Sequence, residues 1–163
     1  MHVGMVAPCS SSLLGDLLTD LSGADVECGG YLVATLVRAL VDRGHFVSVI
    51  TLAGNIDAPV QLRGSRVVYY AFPMRQGKRM RDLFAAERSN IRAGIDMATP
   101  DVLHAHWTYE YAVASIQSKI PTVVTCHDNA FQQLRYFRDL YRLGQLLMQI
   151  WVIRKTRVLT AVS

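Results

Sequence analysis

GGYLVATLVRALVDRGHFVSVIT, residues 29–51, changes its periodicity halfway along. Leu32, Leu36, Ala39 and Leu40 recur at helical spacing, and Gly44 directly after Asp42 and Arg43 reads as a helix stop. Residues 46–52 then run apolar and β-branched, as a buried strand does. Helix, glycine and strand in that order are one half of a β-α-β unit.

The same pattern extends in both directions. Candidate strands lie at 2–7, 46–52, 67–72, 102–106, 122–126 and 158–162. Helical spacing fills the gaps, through Leu83, Ile91 and Ile95, and through Leu140, Leu143, Leu147, Ile150 and Ile153. Near-continuous apolar strands alternating with helices call for a mainly parallel sheet covered on both faces. The expected fold is therefore α/β, a Rossmann-like doubly wound sheet. With strand order 3-2-1-4-5-6, ligands belong outside the carboxyl ends where the order reverses.

Two connections stand apart. Residues 53–66 hold Gly54, Asn55, Asp57, Pro59 and Gly64, and a plain loop or short turn suffices there. Residues 9–28 separate the first strand from the first helix by far more than the usual two to six residues. That segment reads equally as a flexible acidic cover or, through Leu13, Leu14, Leu17, Leu18 and Leu21, as a short amphipathic helix.

With 163 residues, 51% of them hydrophobic and 18% charged, the chain can bury one core, and disorder or a disulfide scaffold is excluded. Residues 143–153 form the longest nearly uncharged apolar stretch, about half of what a membrane-crossing helix needs. No secretion signal is visible, and three cysteines without C-x-x-C spacing fit reduced thiols in a cytoplasmic protein. Residues 1–74 carry four arginines against six carboxylates, −2, and residues 75–163 carry thirteen bases against seven acids, +6. The bases cluster at 75–92 and 135–157, either as solvated helix faces or as a surface for an anionic partner.

Three motifs carry chemistry. Gly29-Gly30 opens a helix, either as a plain entry turn or as a place where free amides and the helix dipole attract phosphate. It is neither G-x-G-x-x-G nor a P-loop. His104-Ala105-His106-Trp107 ends the fourth strand. Alternation sets His104 and His106 on one face and Leu103, Ala105 and Trp107 on the other. A metal would need a third ligand that no compact His, Asp or Glu set supplies, so no metal is expected. His104 reads as a hydrogen-bonded core residue, and His106 with Trp107 as cleft lining. Cys126-His127-Asp128 ends the fifth strand, where the imidazole can reach a ligand in the crevice. Cys126 points to the other face and reads as a packed core residue.

Taken in order, MHVGMVAP (1–8), GGYLVATLVRALVDRGHFVSVIT (29–51), DVLHAHW (101–107), PTVVTCHD (121–128) and TRVLTAVS (156–163) resemble the amino-terminal domain of glycosyltransferase family 4, which has the GT-B fold. The resemblance implies a retaining transferase that moves a sugar from a nucleotide diphosphate sugar to an acceptor, without a cofactor. It assigns Gly29 and Gly30 to the donor phosphates, His127 and Asp128 to catalysis, and His106 and Trp107 to the acceptor side of the cleft. The whole of 1–163 then reads as one Rossmann-like acceptor-side domain with no counterpart of the donor-binding domain and its E-x7-E motif. A carboxy-terminal GT-B domain in cis, or a partner chain in trans, is implied, and the chain by itself is expected to be weak or inactive. The acceptor is a glycan, lipid or small molecule. The clustered arginines suggest peripheral contact with the anionic inner face of the membrane, whereas nothing recommends nucleic acid. Two other readings stay open: a noncatalytic partner or regulatory subunit that completes a separate donor-binding chain, and an unrelated Rossmann-like binder.

Overall fold

A computed structural model describes residues 1–19 and 25–162. Its strands are β1 (His2–Val6), β2 (Phe46–Ala53), β3 (Val60–Arg63), β4 (Val67–Pro73), β5 (Val102–His106), β6 (Thr122–Cys126) and β7 (Val158–Ala161). The helices are α1 (Tyr31–Asp42), α2 (Ala85–Ala98), α3 (Glu110–Gln117), α4 (Ala130–Phe137) and α5 (Leu140–Lys155). One sheet of seven strands runs β3-β4-β2-β1-β5-β6-β7, parallel throughout except for the antiparallel β3–β4 pair. The six strands read from the sequence take the expected order, and the reversal falls between β1 and β5.

Side-chain alternation divides the core into two layers. Met5, Val49 and Tyr69 pack with Val33, Ala34 and Val37 of α1 on one face. Val6, Ile50, Leu52, Phe72, Leu103, Ala105 and Val124 pack on the other with Ile91 and Ile95 of α2, Val113 of α3 and Met148 and Val152 of α5. Residues of β1 and β2 alternate strictly between the layers, which is what a parallel sheet buried on both faces requires.

The plain loop expected at 53–66 is corrected: Val60–Arg63 forms an edge strand, with Leu62 opposite Tyr69. Val60 and Leu62 alternate with Gln61 and Arg63, but four residues among turn formers are too short a run to read, so pairing with β4 decides the matter. Within 9–28, Ser11–Leu14 makes a single 3-10 turn rather than an amphipathic helix, and buried Leu14 and Leu18 fasten it to the α1 layer. Asp16 there pairs with Arg38 of α1. Asp20 and Leu21 lie outside the described residues. Among the described residues no helix is long and apolar enough to cross a membrane.

Candidate functional site

Three strand ends meet at the switch point. Pro8 follows β1, Trp107 to Tyr111 follow β5, and His127 with Asp128 follows β6. Between them lies a cavity of about 200 Å³ lined by Pro8, Trp107, Tyr109, Glu110, Tyr111, Asp128 and Gln145. A larger hollow of about 490 Å³ opens at the amino-terminal ends of β6 and β7, around Lys119, Lys155 and Arg157, and holds none of the residues of the three motifs. The smaller cavity is where the topology directs a ligand.

His127 is the half-buried center of an aromatic cluster. Its Nε2 lies 2.8 Å from His106 Nδ1, and its ring stacks on Trp107 at 4.3 Å and 18°. His106 is only 2% exposed, so it stands behind His127 rather than in the lining of the cleft. Burial, aided by the neighboring His104 and His127, pushes the His106 pKa down to about 3. Burial also lowers His127, against a smaller raising effect of Asp128. Both rings are therefore neutral at physiological pH.

His104 sits on the same face as expected, 4.4 Å from the His106 ring, with Nε2 bonded to Thr125 Oγ1 at 2.7 Å. It is less buried than His106. Trp107 corrects the alternation. Its φ of +63° breaks the strand, and its ring swings to the histidine side. Cys126 is half-buried rather than packed in the core, with its thiol donating to the Asp128 carbonyl.

The turn after β6 is held by groups that sequence reasoning missed. Asp128 accepts from Tyr109 Oη at 2.6 Å and from Gln133 Nε2 at 2.8 Å. Buried Gln149 of α5 donates to Thr108 Oγ1 and to the Asp128 carbonyl, and accepts from the Ala130 amide at the start of α4. Asn129 caps α4 through the amides of Phe131 and Gln132. A glutamine buried among the apolar residues of a helix adds nothing to the hydrophobic period, so only packing reveals it. Glu110 was missed as well. It is buried at the start of α3 and lines the cavity, and burial holds its carboxyl above the ordinary carboxylate range.

Behind Pro8, Gly29 and Gly30 both have positive φ, +76° and +98°. The Gly29 amide donates to Ser10 Oγ at 2.8 Å and is not free. The amides of Gly30, Tyr31, Leu32 and Val33 have no acceptor among the described residues, and α1 has neither a side-chain cap nor an acidic residue in its first turn. Gly30 packs on the backbone of Pro8, whose side lines the cavity with Trp107 and Asp128. The structure thus gathers His106, Trp107, His127 and Asp128 directly, and sets the glycines behind Pro8 without any contact to His127. Among the described residues, no three His, Cys, Asp or Glu side chains are grouped to hold a metal ion.

A sequence model of Glycosyltransferase Family 4 matches residues 29–163. No curated protein matches the chain. Among solved structures, an alpha,alpha-trehalose-phosphate synthase (UDP-forming) from Burkholderia vietnamiensis is similar over 91% of this chain, at 11% identity and a TM-score of 0.43. The chain spans 38% of the length of that synthase.

Proposed function

This chain belongs to glycosyltransferase family 4, and on that premise we propose that it is the amino-terminal, acceptor-side domain of a retaining transferase. The donor is a nucleotide diphosphate sugar. A second GT-B domain, in cis or on a partner chain, supplies most of the nucleotide contacts. The family match across residues 29–163 is the observation that carries the reading.

Each part of the site has a task in it. Departure of the diphosphate from the sugar carbon leaves growing negative charge, and the four unengaged amides from Gly30 to Val33, at the start of α1, are available to receive it. Fixed donors of this kind do not need to reorganize when charge appears. A neutral His127 can donate to a sugar hydroxyl and so hold the transferred ring in position for reaction. Asp128, held by Tyr109 and Gln133, keeps one wall of the acceptor pocket polar. Trp107 supplies a flat apolar surface against which a sugar ring can pack.

The acceptor side also suggests where the enzyme works. Phe131, Tyr136, Phe137, Leu140, Leu143 and Leu147 are exposed on α4 and α5, with Arg135 and Arg138 among them. Gly144 of α5 lies against Met80, which brings exposed Lys78 and Arg81 to the same region. Apolar side chains framed by cations suit the headgroup layer of an anionic membrane and an acceptor presented there. The test is incubation of the chain, completed by its donor-binding domain in cis or partner chain in trans, with a panel of nucleotide diphosphate sugars and an acceptor, and mass spectrometry of the products. Transfer that keeps the anomeric configuration supports the proposal, and hydrolysis or transfer in none of the panel overturns it.

A further inference from the structure

The His106–His127 pair restricts where each ring can carry its proton. One of the two facing nitrogens must donate and the other must accept across their 2.8 Å contact. His106 Nε2 is buried without a partner. If His127 Nε2–H donated, His106 would hold its own proton on that orphaned Nε2, leaving a buried N–H with no acceptor. Such donors are rarer in folded proteins than bare acceptors. The cheaper arrangement has His106 Nδ1–H donating, His106 Nε2 as an unprotonated lone pair, and His127 Nε2 accepting.

His104 does not relieve the orphan. His104 Nε2 is engaged by Thr125 Oγ1 at 2.7 Å, and Thr125 Oγ1 in turn pairs with Thr160 Oγ1 at 2.7 Å. That chain occupies His104 Nε2, and the ring only packs beside His106. On the other side, His127 Nδ1 has no partner among the described residues and is not among the buried unpartnered nitrogens, so it reaches solvent.

We propose that His106 is a positioning residue: its buried ring donates to His127 Nε2 and thereby fixes the His127 proton on Nδ1, the nitrogen open to ligand. Trp107, stacked on the other side of the imidazole, holds the ring plane. The value of this device for catalysis rests on the transferase reading, in which a sugar oxygen accepts from Nδ1–H. The ionizable groups facing the pair are His104 on β5 and Asp128 beside His127.

The test needs no sugar. Two-bond ¹H–¹⁵N spectra of the ¹⁵N-histidine-labeled chain at neutral pH report which nitrogen of each ring is protonated. An Nδ1–H His127 is the expected result, and an Nε2–H His127 overturns the proposal whatever the variants do. In His106→Phe, His127 should move toward the Nε2–H form, and its titration midpoint should rise by about one unit, since one neutral hydrogen bond no longer opposes protonation at Nε2. His106→Asn, whose amide N–H can replace Nδ1–H, should restore the original tautomer. A folded His106→Phe protein with an unchanged His127 also overturns the proposal. If His106→Phe fails to fold, the wild-type tautomer decides. Absence of transfer alongside an Nδ1–H His127 would defeat the proposed function alone.

Discussion

Gly30 is pressed so closely on Pro8 that a Cβ built there would overlap the Pro8 carbonyl oxygen and stand 2.8 Å from Cys9 Cα. Gly29, one residue earlier, has open space around the same position. Both have positive φ, so alanine is strained at either site, by about 1–2 kcal/mol. At Gly30 the overlap is with backbone that cannot move without disturbing β1 and the cavity wall. Gly30→Ala should therefore lower Tm at least twice as far as Gly29→Ala, with about 2–4 °C lost per kcal/mol in a chain of this size. Equal losses in thermal melts would show that the close approach to Pro8 is not a constraint.

His127→Ala tests the chemical core of the transferase reading. Among the described residues the half-buried imidazole bonds to His106 and stacks on Trp107, so the variant should keep its circular dichroism spectrum and lose only several degrees of melting temperature, the cost of stranding the buried His106 N–H. Transfer should fall by roughly two orders of magnitude, the loss typical when the reacting sugar is no longer held in position. Turnover within a factor of a few of wild type would take His127 out of the mechanism.

Much of this was legible in the residues, and the exceptions have physical causes. The central strands follow from apolar runs such as 46–52, because a strand buried on both faces needs little else, whereas β7 is exposed throughout and the strand order is that of the doubly wound class rather than anything the runs dictate. Val60–Arg63 alternates apolar and polar residues, but four residues among turn formers are too few for that alternation to stand out. Alternation placed His104 and His106 on one face, yet it could not rank their depth. That depends on Trp107 leaving the strand with positive φ and on His127 arriving from another strand. Gln149, Gln133 and Tyr109, which hold the Asp128 turn, are fixed by contacts between elements distant in sequence.

The basic cluster at 75–92 is partly structural. Glu87 is 1% exposed and takes three bonds from Arg75, through the backbone amide, Nε and Nη2, while Asp82 accepts from both terminal nitrogens. Arg75→Ala would leave the Glu87 carboxylate buried without its counter-ion, so it should destabilize far more than Arg81→Ala, which removes an exposed side chain. Arg75→Leu combined with Glu87→Leu should recover part of the loss, since no charge is then stranded. Denaturant midpoints check both claims, and a double variant less stable than Arg75→Ala would count against them.

Acid stability should carry the mark of His106. Its folded pKa of about 3 lies below the ordinary histidine value of 6.5, so below the latter the unfolded chain binds a proton that the folded chain refuses. The stabilization is fully present above pH 6.5 and is lost as pH falls toward 3, at up to about 1.4 kcal/mol per pH unit. His127, His104 and His2 are lowered too and add in the same direction. Buried Glu110 is raised and works the other way. His106→Phe should flatten the fall of unfolding free energy between neutrality and the acid limit, and a curve parallel to wild type would show that His106 titrates normally.

Membrane contact is separable from catalysis because its surface residues lie off the cavity. Lys78, Arg81, Arg135 and Arg138 are exposed, and none of them has a carboxylate partner among the described residues. Each cation near an anionic surface contributes about 1 kcal/mol, so the four together set a strong preference for charged lipid that salt should weaken. Sedimentation with vesicles should show binding to phosphatidylglycerol-containing membranes and little to phosphatidylcholine alone. Replacing the four cations by glutamine should abolish the difference while the melting temperature stays put. Replacing Phe131, Phe137 and Leu140 by serine should reduce binding at high salt more than at low salt, because burial of apolar area does not depend on ionic strength in the way counter-charge does. Equal binding to both vesicle types would end the membrane proposal and leave a soluble acceptor for the same cavity.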